Sequence, residues 1–366
     1  MKNDGDVADN LALPAQGLPN PKTLRWAHST CSKDDLEKAL FDEDINAIEA
    51  DIVMGHHHKV EEKYNEKTAK EDEASSSTIT NSISTTTEPI MAHPPNSISD
   101  LSFEAFIHRC MTKEEHSTTK DCPRQPRQHH YKHLKLDFKD VETIEPALNT
   151  LKKSMIIDND ENNSNSNSNS TSTTTSFDKS IFLNADIIKG PGCNTRNQQL
   201  AIVDADIFME KCLAFIDSLI NQEEDRKRII MSLGWKVDCR SFHGYTDLQV
   251  KEMKDIIEKY DTMNRTGGVV LAVNARVLAK DPKPFDSILK EYPEMQLLIW
   301  TGTGEPHISR SQISIINNHY QSIGCEDQIG FDCQYGSLVY FGMQRTIYWM
   351  NKNTSPDEDV GATTMS

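Results

Sequence analysis

Short apolar segments alternate with longer amphipathic stretches along most of the chain. The short apolar runs predict buried strands, and apolar positions spaced three or four residues apart predict helices between them. The predicted strands are Leu24–His28, Ala47–Val53, Pro89–His93, His133–Asp137, Ile181–Asp186, Ile229–Leu233, Gly268–Val273 and Leu297–Trp300. The predicted helices lie near residues 33–41, 101–112, 140–154, 205–220, 247–263, 282–290 and 309–321.

Regular alternation of strands and helices indicates an α/β fold with a parallel sheet. Eight such units predict closure into a (β/α)8 TIM-type barrel. No glycine-rich phosphate loop follows the first strand, which argues against a dinucleotide-binding fold. Ser32 and Ser99 precede helical stretches and are candidate N-caps. The apolar, strand-like stretch 327–350 has no place in this pattern.

Three polar segments interrupt the alternation, near residues 55–88, 114–130 and 158–176. Their charged, Ser/Thr-rich or Asn/Ser-rich composition buries too little apolar surface to offset the entropy of ordering. The sequence therefore predicts three long low-complexity insertions on the surface of one barrel domain, residues 21–350. The ends of the chain, 1–20 and 351–366, have a similar composition and are expected to be disordered tails.

The net charge and the apolar content limit the classes of partner. Only 36% of the residues are hydrophobic, which fits solvated insertions in an otherwise ordinary fold, and the formal net charge is −17. An acidic surface disfavours non-specific binding to nucleic acid or to an anionic membrane. A small phosphorylated ligand held through a metal ion stays compatible with it, because the ion sets the local charge.

The sequence also predicts a compartment. The first 20 residues lack the apolar core of a signal peptide, and no apolar stretch approaches the length of a membrane span. A cytoplasmic protein is therefore expected. The eight cysteines include no Cys-x-x-Cys pair, so free thiols are expected.

Polar side chains occur in pairs at the ends of three predicted strands. The pairs are Glu49 and Asp51, Asp137 and Lys139, and Asn184 and Asp186. Residues two apart in a strand face the same side, and charged groups among apolar neighbours are usually paired or bound to a metal. Three such pairs predict a shared site.

In an α/β barrel the active site lies where the strands end. The other polar or aromatic residues expected at those ends are His28, His93, Trp235, Arg276 and Trp300. Oxygen-rich ligands suit a hard cation, Mg²⁺ or Ca²⁺, and two histidines beside it suit proton transfer near neutral pH.

Each of these residues also has a structural interpretation. His28 and His93 are compatible with buried, hydrogen-bonded histidines, and Lys139 and Arg276 with partners of nearby carboxylates. Trp235 and Trp300 are compatible with core positions. The joint pattern, rather than any single residue, favours a site.

Seven segments resemble the menorin family. In chain order they are WAHS, IEAD, PIMAHPP, KLDFK, FLNADI, SLGW and LLIWTG, within residues 24–305. That family is similar in turn to glycerophosphodiester phosphodiesterases and sphingomyelinase D. The resemblance implies that His28 and His93 form the acid/base pair, that Glu49, Asp51 and Asp137 bind the metal, and that Lys139 contacts the phosphate. Pro94 and Pro95 depart from the pattern, since glycerophosphodiesterases usually carry a glycine and an acidic residue there.

Two functions follow as hypotheses. The first is a metal-dependent phosphodiesterase that acts on a small phosphodiester, such as a lipid head group, a nucleotide or an RNA end. Asn184, Asp186, Trp235, Arg276 and Trp300 are then expected to contact the substrate. The second is a non-catalytic binding protein on a phosphodiesterase-like barrel, because a fold does not fix a function.

Overall fold

A computed structural model describes residues 18–61, 80–112, 131–160, 177–193, 202–219, 223–302 and 305–333. Within these ranges the strands are β1 Trp26–Ala27, β2 Ala47–Glu61, β3 Thr80–Met91, β4 Ile98–Ser99, β5 His133–Phe138, β6 Ile181–Lys189, β7 Ile229–Lys236, β8 Val269–Asn274, β9 Gln296–Trp300 and β10 Ile329–Asp332. The helices are α1 Lys33–Phe41, α2 Phe103–Met111, α3 Ile144–Asp160, α4 Ala205–Asp217, α5 Glu223–Arg228, α6 Asp247–Lys259, α7 Thr262–Arg265, α8 Ala275–Leu278, α9 Asp286–Glu291 and α10 Arg310–Ser322. Short 3-10 turns cover Pro21–Thr23, Lys283–Phe285 and Glu326–Gln328.

Eight parallel strands follow one another in a nearly closed ring. Their order is β1, β2, β5, β6, β7, β8, β9 and β10, each paired in parallel with the next. Helices separate most of these strands along the chain and cover the outside of the ring. The predicted α/β barrel with eight parallel strands is confirmed.

Two positions in the ring differ from the prediction. The segment predicted as the third barrel strand, Pro89–His93, ends β3, which runs antiparallel to β2 with Met91 opposite Ile52. β1 is so short that it pairs only with Ala47 and Ile48 of β2. β3 pairs with the later part of β2, from Ile52 onward, along the same edge. The eighth barrel strand is β10, from the stretch that the pattern left unplaced. The predicted third strand is therefore wrong as a barrel strand.

The same hairpin changes the predicted insertions. β2 and β3 extend past the mouth, so residues 55–61 and 80–88 of the insertion predicted at 55–88 form paired strands. α3 likewise reaches Asp160 and so includes the first three residues of the insertion predicted at 158–176. The remaining parts, 62–79, 114–130 and 161–176, lie outside the described residues, as do residues 1–17 and 334–366.

The pleat of the strands divides the core into two layers. Side chains that point outward pack against the helices and form the main apolar cluster. Those that point inward at the start of the strands fill the bottom of the barrel, namely Leu24, Trp26, Ala47, Phe182, Ile230, Val270 and Leu298. Two residues further along, the inward positions become polar, as Glu49 follows Ala47 and Asn184 follows Phe182. The bottom is thus apolar, and the polar site begins directly above it.

Local signals fix several helix starts. The hydroxyl of Ser32 accepts a hydrogen bond from the backbone N–H of Asp35, which confirms it as the N-cap of α1. The N-cap of α2 is Ser102 rather than Ser99, since Ser102 accepts from the N–H of Ala105. Ser99 lies in β4, and its hydroxyl donates to the carbonyl of Cys31.

Other features bear on the compartment and the thiols. No helix in the described part of the chain is both long and apolar enough to cross a membrane. The seven cysteines within the described ranges are free thiols, as expected, and Cys122 lies outside those ranges.

His133, the first residue of β5, makes the stability of the barrel depend on pH. Its Nδ1 accepts a hydrogen bond of 3.1 Å from the backbone N–H of Ser180. Burial, and then the nearby Lys179 ammonium, lower the pKa of His133 to about 4. The unfolded chain takes up this proton near pH 6.5, whereas the folded chain takes it up only near pH 4. Stability from this group is therefore present above pH 6.5 and is lost as the pH falls toward 4.

We expect acidification from pH 7.5 to pH 5 to destabilise the wild type more than a His133→Asn variant, whose side-chain oxygen still accepts from Ser180. The difference should be on the order of 1–2 kcal/mol in the free energy of unfolding. Urea unfolding of both proteins at the two pH values measures it. An equal loss in both proteins would contradict the assignment.

Candidate functional site

Strand register brings the inward polar residues together at the carboxyl ends of the strands. Asp51 on β2 lies opposite Asp137 on β5, and Asp137 lies opposite Asn184 on β6. One level lower, Glu49 lies opposite Lys135. Paired residues in register point to the same side of a sheet, so these side chains converge inside the barrel.

Three carboxylates form a buried cluster at this point. Glu49, Asp51 and Asp137 each place one oxygen within 4.8 Å of the others. They are only 3%, 2% and 8% exposed. Oxygens bound to one Mg²⁺ or Ca²⁺ at about 2.0–2.6 Å lie about 3–5 Å apart, so the spacing and the hard donor set fit a divalent cation. The sequence-predicted metal ligands are thus brought together.

Two lysines offset part of this negative charge. The Lys139 ammonium lies 2.5 Å from Asp137 Oδ2 and 2.8 Å from Asp51 Oδ1. Burial works against the charged form of Asp137, but Lys139 and Lys135 outweigh it and lower the pKa of that carboxyl. For Glu49, burial is the largest cause, and together with the neighbouring Asp51 it raises the pKa against the effect of His28. A cation would stabilise all three carboxylates in their ionised form.

His28 follows β1 and lies against the cluster. Its Nδ1 is 3.5 Å from Glu49 Oε2 and 3.3 Å from Asp332 Oδ2. Burial alone would lower its pKa, but these two carboxylates raise the pKa of His28 to about 9. The next residue, Ser29, has a φ of 57° and donates its backbone N–H to Glu49 Oε2 at 2.6 Å. This turn holds the Glu49 carboxylate and His28 side by side.

His93 is not at the end of a barrel strand, which corrects the predicted geometry. It comes one residue after Ala92, whose backbone N–H donates to the carbonyl of Asp51 at 3.1 Å. Its backbone therefore lies at the level of the cluster, on the hairpin side of β2. The imidazole is exposed, and its Nδ1 lies 2.7 Å from the carbonyl of Pro94.

Asn184 and Asp186 extend the polar surface across β6. Asn184 is buried, accepts a hydrogen bond of 2.6 Å from the Ser232 hydroxyl, and contacts the carboxyl of Asp137. Asp186 Oδ2 lies 3.8 Å from the Lys236 ammonium. A Cβ at Gly234 would come within 2.5 Å of Asp186 Oδ1, so the absence of a side chain there gives the carboxylate its room. Asn184 thus orients the Asp137 carboxylate of the cluster, whereas Asp186 faces the mouth with a lysine partner.

The three remaining predicted residues have different surroundings. Trp235 is fully buried and packs edge-on against Tyr245 and Phe285, so its assignment as a substrate-binding residue is wrong. It is one residue out of step with the inward positions on β7, and therefore points toward the helices. Arg276 donates to the backbone carbonyls of Pro306 and His307 rather than to the nearby carboxylates of its structural interpretation.

Trp300 keeps its predicted place. It is the partly buried last residue of β9, in register with Asn274 on one side and Asp332 on the other. It therefore shares the inward face at the mouth.

Three charged residues of the site were missed in the sequence. Lys135 precedes Asp137 by two positions, so the strand period that selected Asp137 and Lys139 also applied to it. Lys236 follows the inward-facing Gly234 by two positions, so the same period applies to it. Asp332 had no such signal, because the strand that carries it was recognised as strand-like but had no place in the ring.

The fold and the cluster define a class of protein: a parallel α/β barrel with a buried acidic centre at the carboxyl ends of its strands. The family model described as the Menorin N-terminal domain matches residues 73–323. This is more than half of the chain, which therefore belongs to that family.

The chain is also similar to a curated human protein. The chain is 23% identical over 236 residues to the human protein named Protein FAM151B. The alignment covers 64% of this chain and 65% of that protein. The family match includes Asp137 and Lys139, whereas His28, Glu49 and Asp51 precede it and Asp332 follows it. The ring of strands brings these outlying segments to one site.

The buried Lys135 gives a test of the charge network. Its ammonium lies 3.9 Å from Asp332 Oδ2 and 5.9 Å from the centre of the Trp26 ring. Burial disfavours its charged form, but Glu49 and Asp332 outweigh this and raise the pKa of Lys135.

Replacing Lys135 by Met should lower the free energy of unfolding by about 3–5 kcal/mol, because buried carboxylates lose their partner. The matched control is Lys251→Met, which removes an exposed ion pair with Asp255 and should cost about 0.5 kcal/mol or less. Urea unfolding at pH 7 measures both. Similar small losses in the two variants would contradict a network that depends on Lys135.

Proposed function

We propose that this protein is a metal-dependent phosphodiesterase that acts on a small phosphodiester by histidine acid/base catalysis. The observation that supports this most is the convergence of Glu49, Asp51 and Asp137 within 4.8 Å at the mouth of a barrel. A histidine and a lysine touch the same carboxylates, at 3.5 Å and at 2.5–2.8 Å. Carboxylates, a fixed ammonium and a histidine together are the groups that phosphoryl transfer needs.

Glu49, Asp51 and Asp137 would hold the cation. When bound, a divalent ion such as Mg²⁺ or Ca²⁺ supplies positive charge that neutralises a non-bridging phosphate oxygen. Lys139 adds a second positive charge, which the two aspartates hold at a fixed position. A phosphodiester carries one negative charge, and the ion together with Lys139 would offset the three carboxylates that otherwise repel it at this place.

The histidines supply the proton transfers. One deprotonates the attacking hydroxyl or water, and the other protonates the oxygen that leaves. His28 is held against the cluster by Glu49 and Asp332. His93 lies on the hairpin side of β2 with its ring open to solvent, where a substrate has access to it.

The remainder of the mouth offers contacts for the group attached to the phosphate. Asp186, its partner Lys236 and Trp300 are partly exposed and line this side of the barrel. A carboxylate and an ammonium bind hydroxyl-rich or charged head groups, and an indole ring packs against apolar or planar parts.

The proposed ion site predicts a specific loss of binding. Calorimetric titration with Mg²⁺, Mn²⁺ or Ca²⁺ should show one site in the wild type. Asp137→Asn should weaken it by at least about tenfold, or 1.4 kcal/mol, because one charged ligand is lost. Asp255→Asn removes a carboxylate from the surface of α6 and serves as the control. Equal affinities in all three proteins would place the ion elsewhere.

The proposed catalysis predicts that His28→Ala and His93→Ala each lower turnover by about 10²–10⁴-fold while the fold is kept. The two losses should not add, because one intact partner cannot complete the cycle. The substrates are glycerophosphodiesters, lysophospholipids, cyclic nucleotides and RNA ends with each metal ion. His108→Ala, on the exposed face of α2, is the matched control.

The outcomes separate the two hypotheses. Equal activity in the wild type and both variants would overturn the proposed mechanism. Metal binding without turnover of any substrate would instead favour the non-catalytic binding protein.

A further inference from the structure

The barrel closes at a seam between its first and last strands. β1 spans two residues, and the backbone ladder of the described strands does not join it to β10. Side chains cross the seam instead: Lys22 pairs with Asp327 at 2.7 Å on the outside, and His28 contacts Asp332 at 3.3 Å on the inside. The outer pair is exposed, whereas the inner pair is buried beside the acidic cluster.

The two carboxylates that face His28 differ in what else they do. Glu49 belongs to the cluster that we propose as the ion site, and it also accepts from the Ser29 N–H. Asp332 lies outside that cluster. It is 5% exposed, its backbone carbonyl accepts from the N–H of Thr301 at 3.2 Å, and its carboxylate lies 3.9 Å from the Lys135 ammonium. Once Glu49 is committed to an ion, Asp332 is the carboxylate left for the histidine.

Both carboxylates approach the same ring nitrogen, Nδ1. A hydrogen bond from Nδ1–H to Asp332 fixes the rotation of the ring and keeps the proton on that nitrogen. It leaves Nε2 as the atom that exchanges a proton with a substrate. We propose that Asp332 is the positioning residue of His28, acting through the imidazole without touching the substrate itself.

The inference rests on the proposed function and extends it to a part of the chain outside the family match. The match ends at residue 323, whereas Asp332 lies on the last barrel strand. The eighth strand therefore contributes a site group as well as closing the ring.

The test uses the full chain with Asp332→Asn, His28→Ala, the double variant, and Asp327→Asn as the matched control on the outer side of the seam. Asparagine preserves the size of Asp332 but can turn its N–H₂ group toward Nδ1. We expect Asp332→Asn to fold with a lower melting temperature, because Lys135 and His28 lose a buried carboxylate partner, and to keep its Mg²⁺ affinity and its KM close to wild type. Its kcat should fall by about 10²-fold or more, because the ring loses its orientation and its tautomer.

The double variant decides whether Asp332 acts through His28. If it does, the double variant is no slower than His28→Ala alone. Additive losses would overturn the inference, and so would a wild-type kcat in Asp332→Asn. A purely structural role would also be recognised, since Asp332→Asn would then lose stability while the folded protein kept its wild-type kcat.

A spectroscopic measurement separates this inference from the proposed function. In the Mg²⁺-loaded wild type, ¹⁵N-histidine labelling should show a downfield Nδ1–H proton of His28 that exchanges slowly with water. The resonance should vanish in Asp332→Asn and persist in Asp327→Asn. Its persistence in Asp332→Asn would overturn the positioning role even if the protein is active. If no phosphodiester is turned over, the proposed function fails, and this resonance still decides the contact.

Discussion

The site depends on one constraint: carboxylates buried inside a barrel need positive partners. Removing an ion from water costs several kcal/mol, and only close opposite charges or hydrogen bonds offset that. Lys139 bridges Asp51 and Asp137, and Lys135 lies below them near Glu49 and Asp332. His28 adds a third positive group beside Glu49 and Asp332, so three positive groups face four carboxylates. A divalent cation held by Glu49, Asp51 and Asp137, as proposed, would offset the remaining negative charge.

The pleat explains how much of this arrangement could be predicted. A strand has a period of two, so polar residues such as Glu49 and Asp51 inside an apolar run reveal an inward face directly from the sequence. The same period explains why the prediction for Trp235 is wrong. Ser232 and Gly234 face inward on β7, so Trp235, one residue further along, faces the helices although it lies near the end of the strand. An indole one residue out of step belongs to the helix layer, where Tyr245 and Phe285 surround it.

The order of the ring could not be obtained in this way. A hydrophobic pattern does not show whether a strand pairs in parallel or antiparallel. The prediction of Pro89–His93 as a parallel strand is therefore wrong, since this segment runs antiparallel to β2. The predicted number of eight parallel strands agrees with the structure only because β10 takes the place of Pro89–His93 in the ring. This difference bears on the site, because His93 does not lie on a barrel strand, whereas Asp332 lies on the last one.

The position of His28 and Asp332 in the chain links the candidate site to closure of the fold. His28 comes from the first barrel strand and Asp332 from the last, more than 300 residues apart along the chain, and they meet 3.3 Å from one another. Contacts of such separation form late, because the entropy of closing the loop between them is lost before the contact stabilises the fold. The proposed acid/base histidine is thus oriented only when the seam is shut. A barrel whose outer strands open would keep the carboxylate cluster on β2 and β5 and lose the carboxylate partner on β10. The proposed ion binding and the proposed proton transfer would therefore be separable in this architecture, since they would rely on different strands of the same ring.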